Sequence, residues 1–395
     1  MRKSSLLAVV FVASLVLFLS VSCSGGGGGG TSPTLNTIGV ATGAAVDSSS
    51  GNLYVAGWTG TSSSSLPCYW KNGTLITTLP IGTGNSYYDV EAAYVDSAGN
   101  LYIMGAVGTS SSTLVPCYWK NGIRSTLSYG ANTYGGASNA AVDSSGNVYI
   151  TGYLGSSSSS YMPSYWVNGG APNLLPVTSG NTYGWANGIA VLGTTVYIAG
   201  AEGTSSSAEK PACWTVTSGG ATLSDLGTSA FGVARGVAIS SSVVYVSGAQ
   251  GSAATTATPG YWAVGGSVTP LSIGTNTYGR AWGMAVISGA IYIAGTQGTS
   301  SSSVLPGYWI SGAFGNNLSL GSSNSTFWLN WSASDSTYFY TAGAVGTSSY
   351  SPQPCYWKNG SLNLLPLGTQ AGQDIRAAAA TAVARTAGAN QDGGQ

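Results

Sequence analysis

Short apolar runs separated by turn residues recur along the chain, and one such unit spans about 48 residues. In the first unit the pattern predicts four β-strands, which we call A to D, over 41–46, 53–56, 67–71 and 74–79. Strand B is apolar on both of its alternating faces, which predicts that both sides of the sheet are covered. Asn72-Gly73 between strands C and D favours a type I′ hairpin turn, because both central residues of that turn need positive φ.

Two aromatic markers return seven times with this period. A tyrosine three residues before a glycine recurs every 47 or 48 residues, at Tyr54, Tyr102, Tyr149, Tyr197, Tyr245, Tyr292 and Tyr340. A tryptophan three residues after a proline recurs at Trp70, Trp119, Trp166, Trp214, Trp262, Trp309 and Trp357. Four strands per unit make one propeller blade, and a ring of blades buries both faces of every sheet. We therefore predict an all-β, seven-bladed β-propeller with four antiparallel strands per blade over 37–368. An open solenoid is the alternative.

Part of the repeat resembles a known family. The segment Asp143-Ser-Ser-Gly-Asn-Val-Tyr-Ile150, like 96–103, resembles the Asp-x-x-Gly-Asn-x-Tyr-Val repeats of bacterial β-propellers of the NHL and SBBP type. The resemblance covers roughly 38–368 and implies the architecture, but such propellers bind, scaffold or catalyse. Units four to six lack the aspartate. Streptogramin-lyase-like members rely on histidine, and this chain has none, so their activity is not implied here.

The closure of the ring has two interpretations. A further copy of strand A lies at 378–383, after the seventh strand D at 362–365. Either the first strand A closes the ring and the C-terminus is left over, or the extra copy displaces it. We expect the first. The segment 369–395 is then an extra strand followed by a polar, disordered tail.

The first 36 residues differ in composition from the repeats. Arg2 and Lys3 precede an apolar run over 6–21, and Cys23 is followed by Ser24 and by glycines at 25–30. This arrangement resembles a bacterial lipoprotein signal peptide over 1–22. It implies a lipid on Cys23, a flexible tether over 23–36 and a lipid-anchored protein of the cell envelope, in the outer membrane or at the cell surface. An ordinary cleaved signal peptide and an uncleaved membrane anchor are the alternatives.

Composition excludes several classes of function. The absence of histidine excludes Ser-His-Asp triads, Cys-His pairs and His-ligated metals. Charged residues make up 6% of the chain, against roughly 25% in an ordinary soluble domain, and no basic stripe is present for nucleic acid. We expect no nucleic-acid partner, no metal and no cofactor. A near-neutral surface rich in Ser, Thr, Asn and Gly favours uncharged partners. The oligomeric state stays open.

Cysteines and aspartates at repeat positions are given structural roles. Packed sheets lie about 10 Å apart, which is too far for a disulfide between equivalent positions of neighbouring blades. We therefore predict small buried residues at Cys68, Cys117 and Cys355, and no partner for Cys213. One carboxylate per turn is too few for calcium. We predict that the side chain accepts a backbone hydrogen bond in each of the A–B turns of Asp47, Asp96, Asp143 and Asp335.

In a propeller the B–C loops and the connections from strand D to the next strand A meet on one face. Here the loops are Gly/Ser/Thr tracts, and the connections carry aromatic residues among small polar ones. Flat rings beside hydroxyl and amide groups suit sugars. The candidate ligand-binding residues are Tyr88, Tyr134, Tyr183, Trp185, Tyr278 and Trp282. The alternative is that these rings pack between blades.

The leading functional prediction is an envelope-anchored binding module that recognises a neutral glycan or a protein surface through the B–C/D–A loop face, and that is not an enzyme. One alternative is a structural scaffold lipoprotein in envelope assembly. The other is a glycan-processing enzyme that uses Asp89 and Glu91, two residues apart on one face of a strand. That alternative requires the two carboxyl groups to lie together beside a concavity. Glu202, Glu209 and Asp225 are assigned to a distant blade.

Overall fold

The computed structural model describes residues 34–227 and 229–370. The predicted signal peptide, Cys23, the glycine tether and the extra C-terminal strand lie outside the described residues. Apart from one short 3-10 helix at Ala254–Thr256, the regular elements of the described part are β-strands. They form seven antiparallel four-stranded sheets, each built from consecutive strands, together with one two-stranded pairing. The prediction of an all-β, seven-bladed propeller with four strands per blade is confirmed.

Within each blade the strands run in chain order from the innermost to the outermost. A short strand, β1 (Thr34–Leu35), precedes the first blade. Blade one is β2 (Ile38–Val46), β3 (Leu53–Thr61), β4 (Ser64–Lys71) and β5 (Thr74–Thr78). Blade two is β6 (Tyr87–Val95), β7 (Leu101–Gly108), β8 (Val115–Lys120) and β9 (Ile123–Thr126). Blade three is β10 (Tyr134–Val142), β11 (Val148–Ser157), β12 (Ser160–Val167) and β13 (Asn173–Leu174). Blade four is β14 (Tyr183–Leu192), β15 (Thr195–Gly203), β16 (Glu209–Thr217) and β17 (Gly220–Asp225).

The remaining blades repeat this order. Blade five is β18 (Phe231–Ser240), β19 (Val243–Gly251), β20 (Thr258–Ala263) and β21 (Val268–Pro270). Blade six is β22 (Tyr278–Ile287), β23 (Ala290–Ser300), β24 (Ser303–Ile310) and β25 (Ala313–Asn317). Blade seven is β26 (Thr326–Ser334), β27 (Phe339–Gly346), β28 (Gln353–Lys358) and β29 (Ser361–Leu364), and β30 (Thr369–Gln370) follows it.

The seven innermost strands contact one another in chain order around a central channel, and β26 of the last blade contacts β2 of the first. The first blade therefore keeps its own innermost strand, as the first interpretation of closure expects. The chain ends of the ring are also joined, because β1 pairs antiparallel with β30. No helix of the described segments is long and apolar enough to cross a membrane.

The two aromatic markers explain why the blades stack. All seven marker tryptophans are at most 1% exposed. Six of them donate their indole hydrogen to a carbonyl oxygen in the connection that enters their own blade. In four blades the glycine that follows the marker tyrosine makes room for the ring. A Cβ on Gly200 would lie 2.0 Å from the Trp185 carbonyl oxygen and 2.9 Å from Cζ3 of Trp214. Each tryptophan is thus buried in its blade, and six of the seven also fix the connection that enters that blade.

In blade one the turns agree with the sequence at the hairpin between strands C and D and differ at the B–C loop. Asn72 and Gly73 have φ values of 50° and 80°, as the predicted hairpin turn requires. The Gly/Ser/Thr tract at 60–65 is expected to be the B–C loop of blade one. In the structure β3 continues to Thr61 and β4 begins at Ser64, so the connection is a two-residue turn. Serine and threonine are compatible with strands, and the ladder pairs Thr61 with Ser64.

The predicted roles of the aspartates and cysteines are confirmed. A backbone amide two residues on donates to the carboxylate in each of the four turns, at 2.9 Å for Asp47, 3.0 Å for Asp96, 2.9 Å for Asp143 and 2.7 Å for Asp335. Four cysteines are free and buried: Cys68, Cys117, Cys213 and Cys355.

Candidate functional site

Every innermost strand has one irregularity in its pairing with the second strand, at the same repeat position in all seven blades. A bulge of this kind turns a side chain out of the regular ladder. The residues that begin the irregularities, which we call the bulge ring, are Thr42, Glu91, Ser138, Asn187, Arg235, Trp282 and Asn330. The copies thus share one backbone feature but differ in the side chain placed there.

Five members of the bulge ring line one cavity in the channel. The cavity is about 50 Å³, and we call it the central chamber; it is lined by Glu91, Asn187, Arg235, Trp282, Gly283, Asn330 and Trp331. A wider cavity of about 240 Å³ adjoins it and also contacts Trp331. Small residues such as Ala44, Ala93 and Ala140 line this wider part. These residues lie near the A–B turns, so the channel widens on the side opposite to the predicted loop face.

Glycines after the bulge let neighbouring innermost strands approach closely. A Cβ on Gly188 would lie 2.1 Å from the carbonyl oxygen of Arg235 in the next blade. A Cβ on Gly283 of blade six would lie 2.5 Å from the amide nitrogen of Ser332 in blade seven. This close approach is what brings bulge-ring residues from several blades into one chamber.

Arg235 is the cation of the chamber. Its guanidinium carbon lies 4.0 Å from the ring centroid of Trp282 and 5.3 Å from that of Trp185, so two indoles hold it by cation–π contact. Its Nε atom has no hydrogen-bond partner in the protein. Burial, and then the nearby Arg280 cation, lower the pKa of Arg235. The side chain is therefore held in position with donor capacity left for a ligand.

Glu209 lies on β16 of blade four, two blades from Asp89 and Glu91, in agreement with its assignment to a distant blade. It is fully buried beside Trp185, whose Nε1 donates to Glu209 Oε1 at 2.8 Å, and it lies near enough to Arg235 to interact electrostatically. Its other carboxyl oxygen, Oε2, has no partner in the protein. Burial raises the pKa of Glu209 to about 8, against the opposing effect of the Trp185 hydrogen bond. At neutral pH this carboxyl is mostly protonated.

Asp89 and Glu91 lie together, as the enzyme alternative requires. Both are on β6, Glu91 lines the central chamber, and the two side chains are in hydrogen-bonding contact. Burial, and then the neighbouring Asp89 carboxylate, raise the pKa of Glu91 well above its ordinary value. Two carboxyl groups in direct contact are closer than the roughly 5 Å that a retaining glycosidase uses. The pair therefore suits the sharing and transfer of one proton.

The structure places the six candidate aromatic residues in different settings, and the Tyr278 ring lies 5.9 Å from the guanidinium carbon of Arg280. Four of them are less than a tenth exposed: Tyr134, Tyr183, Tyr278 and Trp282. Tyr134 packs against blade two beside Leu114, whereas Tyr183 lies against Tyr161 of blade three, and the Tyr161 and Tyr183 hydroxyls hydrogen-bond to each other. The half-buried Tyr88 bonds to the Ser65 hydroxyl. Trp185 and Trp282 flank Arg235. A ligand-binding role for the six stays a prediction.

Four polar residues were not predicted from the sequence: Arg235, Asn187 and Asn330 of the central chamber, and Arg280 outside it. A signal for three of them is present in the repeat alignment. Asn330 stands five residues before the turn aspartate of its unit, the position that Glu91 occupies in the second unit. At this position the units differ from one another, whereas the marker tryptophan is the same in all of them. Divergence at one position of an otherwise regular repeat identifies the bulge ring.

Comparison with known proteins supports the fold. No protein-family model matches the chain, and no curated protein matches it in sequence. Its structure is similar to the polysaccharide lyase PL25, an ulvan lyase, at 10% identity and a TM-score of 0.55, over 87% of this chain and 97% of that one. It is also similar to a puromycin hydrolase, at 11% identity and a TM-score of 0.54, over 85% of this chain and 55% of that one. A puromycin-hydrolyzing peptidase of Mycobacterium tuberculosis matches at 10% identity and a TM-score of 0.52, over 85% and 54% of the two chains. The chain spans about half the length of these two hydrolases.

The expectation that the chain is not an enzyme is wrong, since proteins that share its fold include a polysaccharide lyase and puromycin hydrolases. In the lyase the similar region covers 97% of the chain, so a propeller of this kind makes up almost the whole of an enzyme. The fold is equally suited to a binding module. The NHL and SBBP resemblance stays a prediction at the level of the repeat.

Proposed function

We propose that the central channel binds a saccharide that carries a carboxylate group, with Arg235 as the partner of that group. The observation that carries this proposal is the bulge ring. Seven copies of one repeat keep the same residues where the blades pack, and they differ where side chains face the chamber. In a repeat protein, a position freed from packing is available for a ligand.

The lining chemistry supports a saccharide. Asn187 and Asn330 offer planar amides, and Trp282 and Trp331 offer ring faces in the same chamber. Amides bond to hydroxyl groups, and indole rings pack against the C–H faces of sugars. The chamber and the cavity that adjoins it, at about 50 and 240 Å³, together reach the lower end of the roughly 300 Å³ typical of ligand pockets. The wider cavity would admit the sugar chain from the side of the A–B turns.

The charge of the channel supports a carboxylate on that saccharide. Arg235 has an unpaired Nε and is oriented by two indoles, while Glu209 beside it is mostly protonated at neutral pH. A charge-assisted hydrogen bond in a site of low dielectric is stronger than a neutral one. The average composition of the chain favours a neutral ligand, and the channel departs locally from that average.

Titration calorimetry with a panel of oligo-uronates and their methyl esters tests this proposal, because esterification removes the charge and keeps the sugar rings. We expect at least one acid to bind at least tenfold more tightly than its ester. Arg235→Met should abolish this preference. Arg124→Met, which removes an arginine on the outermost strand of blade two, should leave it intact. Absence of binding by every acid, or an unchanged preference in Arg235→Met, would overturn the proposal.

A second candidate function is cleavage of the same saccharide, favoured by the contact between Asp89 and Glu91. A pair of carboxyl groups that shares one proton can accept and return a proton during a reaction. The similarity to a polysaccharide lyase suggests elimination: the pair removes the proton next to the sugar carboxylate, the C–O bond one carbon further breaks, and the leaving oxygen takes up a proton. Arg235 would stabilise the charge that develops on the carboxylate.

Ultraviolet absorbance distinguishes the two candidates, because elimination leaves a C=C bond conjugated with the carboxylate. We expect absorbance to rise with the wild-type protein and not with Glu91→Gln or Asp89→Asn. Binding by these two variants would show that the saccharide site is intact. New reducing ends without absorbance would indicate hydrolysis, and no cleavage by the wild-type protein would reject the second candidate while leaving the binding proposal in place.

We also propose that the mature protein is anchored through a lipid on Cys23, in the outer membrane or at the cell surface. The support is the apolar run over 6–21 and the six glycines after the cysteine. Metabolic labelling with palmitate tests it. The wild-type chain should incorporate label and sediment with membranes, and Cys23→Ser should do neither.

A further inference from the structure

A second polar crevice lies between blades six and seven, near the start of their innermost strands. It has a volume of about 30 Å³, and its lining includes the polar residues Tyr278, Arg280, Trp282, Thr296 and Ser301. Trp282 lies between this crevice and the central chamber, since it lines both. The crevice belongs to the B–C/D–A half of the ring, because Ser301 stands in the turn that joins β23 to β24.

Arg280 is the charged group of this crevice and has few partners. It is 2% exposed, and one nitrogen, Nη2, donates to the Ala254 carbonyl oxygen at 3.5 Å. Its Nε and Nη1 atoms have no hydrogen-bond partner in the protein, which leaves three N–H hydrogens without an acceptor. Rings of Phe231 and Tyr278 lie 5.9 Å from its guanidinium carbon and restrict its movement. Donors that are buried without an acceptor are costly, so a site of this kind favours a bound acceptor.

Neutral donors stand beside the arginine. The Trp282 indole Nε1 is buried and has no hydrogen-bond partner in the protein. Because an indole N–H can only donate, its partner must be an acceptor. Thr296 and Ser301 add two hydroxyl groups to the same lining. A cation surrounded by neutral donors, in a space of a few atoms, matches an anion with several acceptor oxygens and a small volume.

From this arrangement we propose that the crevice is a binding site for a tetrahedral oxyanion of the sulfate type, with Arg280 as its main partner. The anion is either free or a substituent of a larger ligand, and both sources present the same group of oxygens. The site is distinct from the proposed saccharide site, because Arg280 does not line the central chamber and Arg235 does not line the crevice, although Trp282 lines both.

The carboxyl group of Glu209 does not take the position of the proposed anion beside Arg280. Glu209 interacts electrostatically with Arg280, but its Oε2 atom has no hydrogen-bond partner, so the two groups are not joined directly. A protonated Glu209 would leave the charge of Arg280 available to an anion. An ionised Glu209 would compete with the anion for it.

Thermal unfolding with millimolar sulfate, at an ionic strength kept constant with sodium chloride, tests the proposal. A ligand that binds only the folded protein raises Tm. We expect sodium sulfate, or glucose 6-sulfate with glucose as its control, to raise the Tm of the wild-type protein by about 2 °C or more. A response to sulfate alone indicates a free anion, and a response only to glucose 6-sulfate indicates a substituent. No shift with either overturns the proposal.

Variants of the lining residues show whether an increase in Tm comes from binding in the crevice. Arg280→Met should lose it, and Arg124→Met, which changes the net charge equally outside the crevice, should keep it. Because the buried Arg280→Met chain is at risk of misfolding, the double variant Thr296→Val and Ser301→Ala provides an independent measurement, with an expected loss of at least half of the shift. A full shift in the double variant and in a folded Arg280→Met would overturn the proposal. Uronate binding by these variants would remain, which separates this test from that of the channel.

Discussion

The Trp70 indole of the first blade donates its Nε1 hydrogen to the carbonyl oxygen of Pro366, which follows the last strand of the seventh blade, at 2.8 Å. The same contact occurs inside the ring, for example from Trp214 to the Pro176 carbonyl oxygen at 2.6 Å. The junction between the chain ends thus repeats an ordinary junction between consecutive blades. Closure needs no exchange of strands between the first and last blades.

This equivalence predicts equal effects of two matched substitutions. Trp70→Phe and Trp214→Phe each remove one buried hydrogen bond and leave a smaller ring in a closely packed site, so each should cost about 1–3 kcal/mol. Urea unfolding followed by circular dichroism measures both losses. A Trp70→Phe chain as stable as the wild type, beside a clearly destabilised Trp214→Phe chain, would show that the ring is open at this junction.

The buried cysteines predict a chain without reactive thiols in the folded state. Burial raises the pKa of Cys117 and of Cys213 to about 12, so little thiolate forms at pH 8. In the Cys23→Ser chain, Ellman's reagent should find no rapidly reacting thiol before unfolding and four afterwards. The exposed Ser207→Cys variant supplies a positive control with one added reactive thiol. Two missing thiols in the unfolded chain would reveal a disulfide.

The fold was predictable from the sequence because its determinants are periodic. Trp70 and its six equivalents, and hairpin residues such as Asn72, repeat in sequence as they do in space. The channel was less predictable because its residues are the exceptions to the period. Arg235 and Glu209 lie 26 positions apart in different blades, and only the radial stacking of those blades brings them together. The burial that raises the pKa of Glu209 likewise depends on neighbouring blades and leaves no local signal.

The close approach of the innermost strands predicts that Gly188 does not tolerate a methyl group. In Gly188→Ala the new Cβ would lie 2.1 Å from the Arg235 carbonyl oxygen, so the innermost strand of blade five must move. We expect a loss of about 2 kcal/mol or more in the free energy of unfolding, together with weaker uronate binding.

Gly219→Ala is the matched control for that substitution. The nearest heavy atom to its Cβ is Thr217 Oγ1 at 3.7 Å, so the methyl group meets no clash. Its stability should stay within about 0.5 kcal/mol of the wild type. Equal stabilities for the two alanine variants in urea unfolding would mean that the strands have room to separate and that the chamber is not held by this contact.

Glu209 predicts a stability that decreases as pH rises. Its pKa is about 8 in the folded protein and 4.5 in an ordinary setting, so the folded state holds the proton more tightly. The resulting stabilisation is complete below about pH 4.5 and is lost as pH rises to about 8. At about 1.4 kcal/mol per pKa unit, this loss of stability amounts to a few kcal/mol.

Urea unfolding between pH 5 and 9 should show this decline relative to Glu209→Gln, which keeps an acceptor for Trp185 and cannot ionise. Asp143→Asn serves as the control, because hydrogen bonds, first that from Asn147, lower the pKa of that carboxyl, so its stabilising effect is lost at acid pH. A constant difference between the wild type and Glu209→Gln across this range would show that the buried carboxyl is already ionised at pH 5.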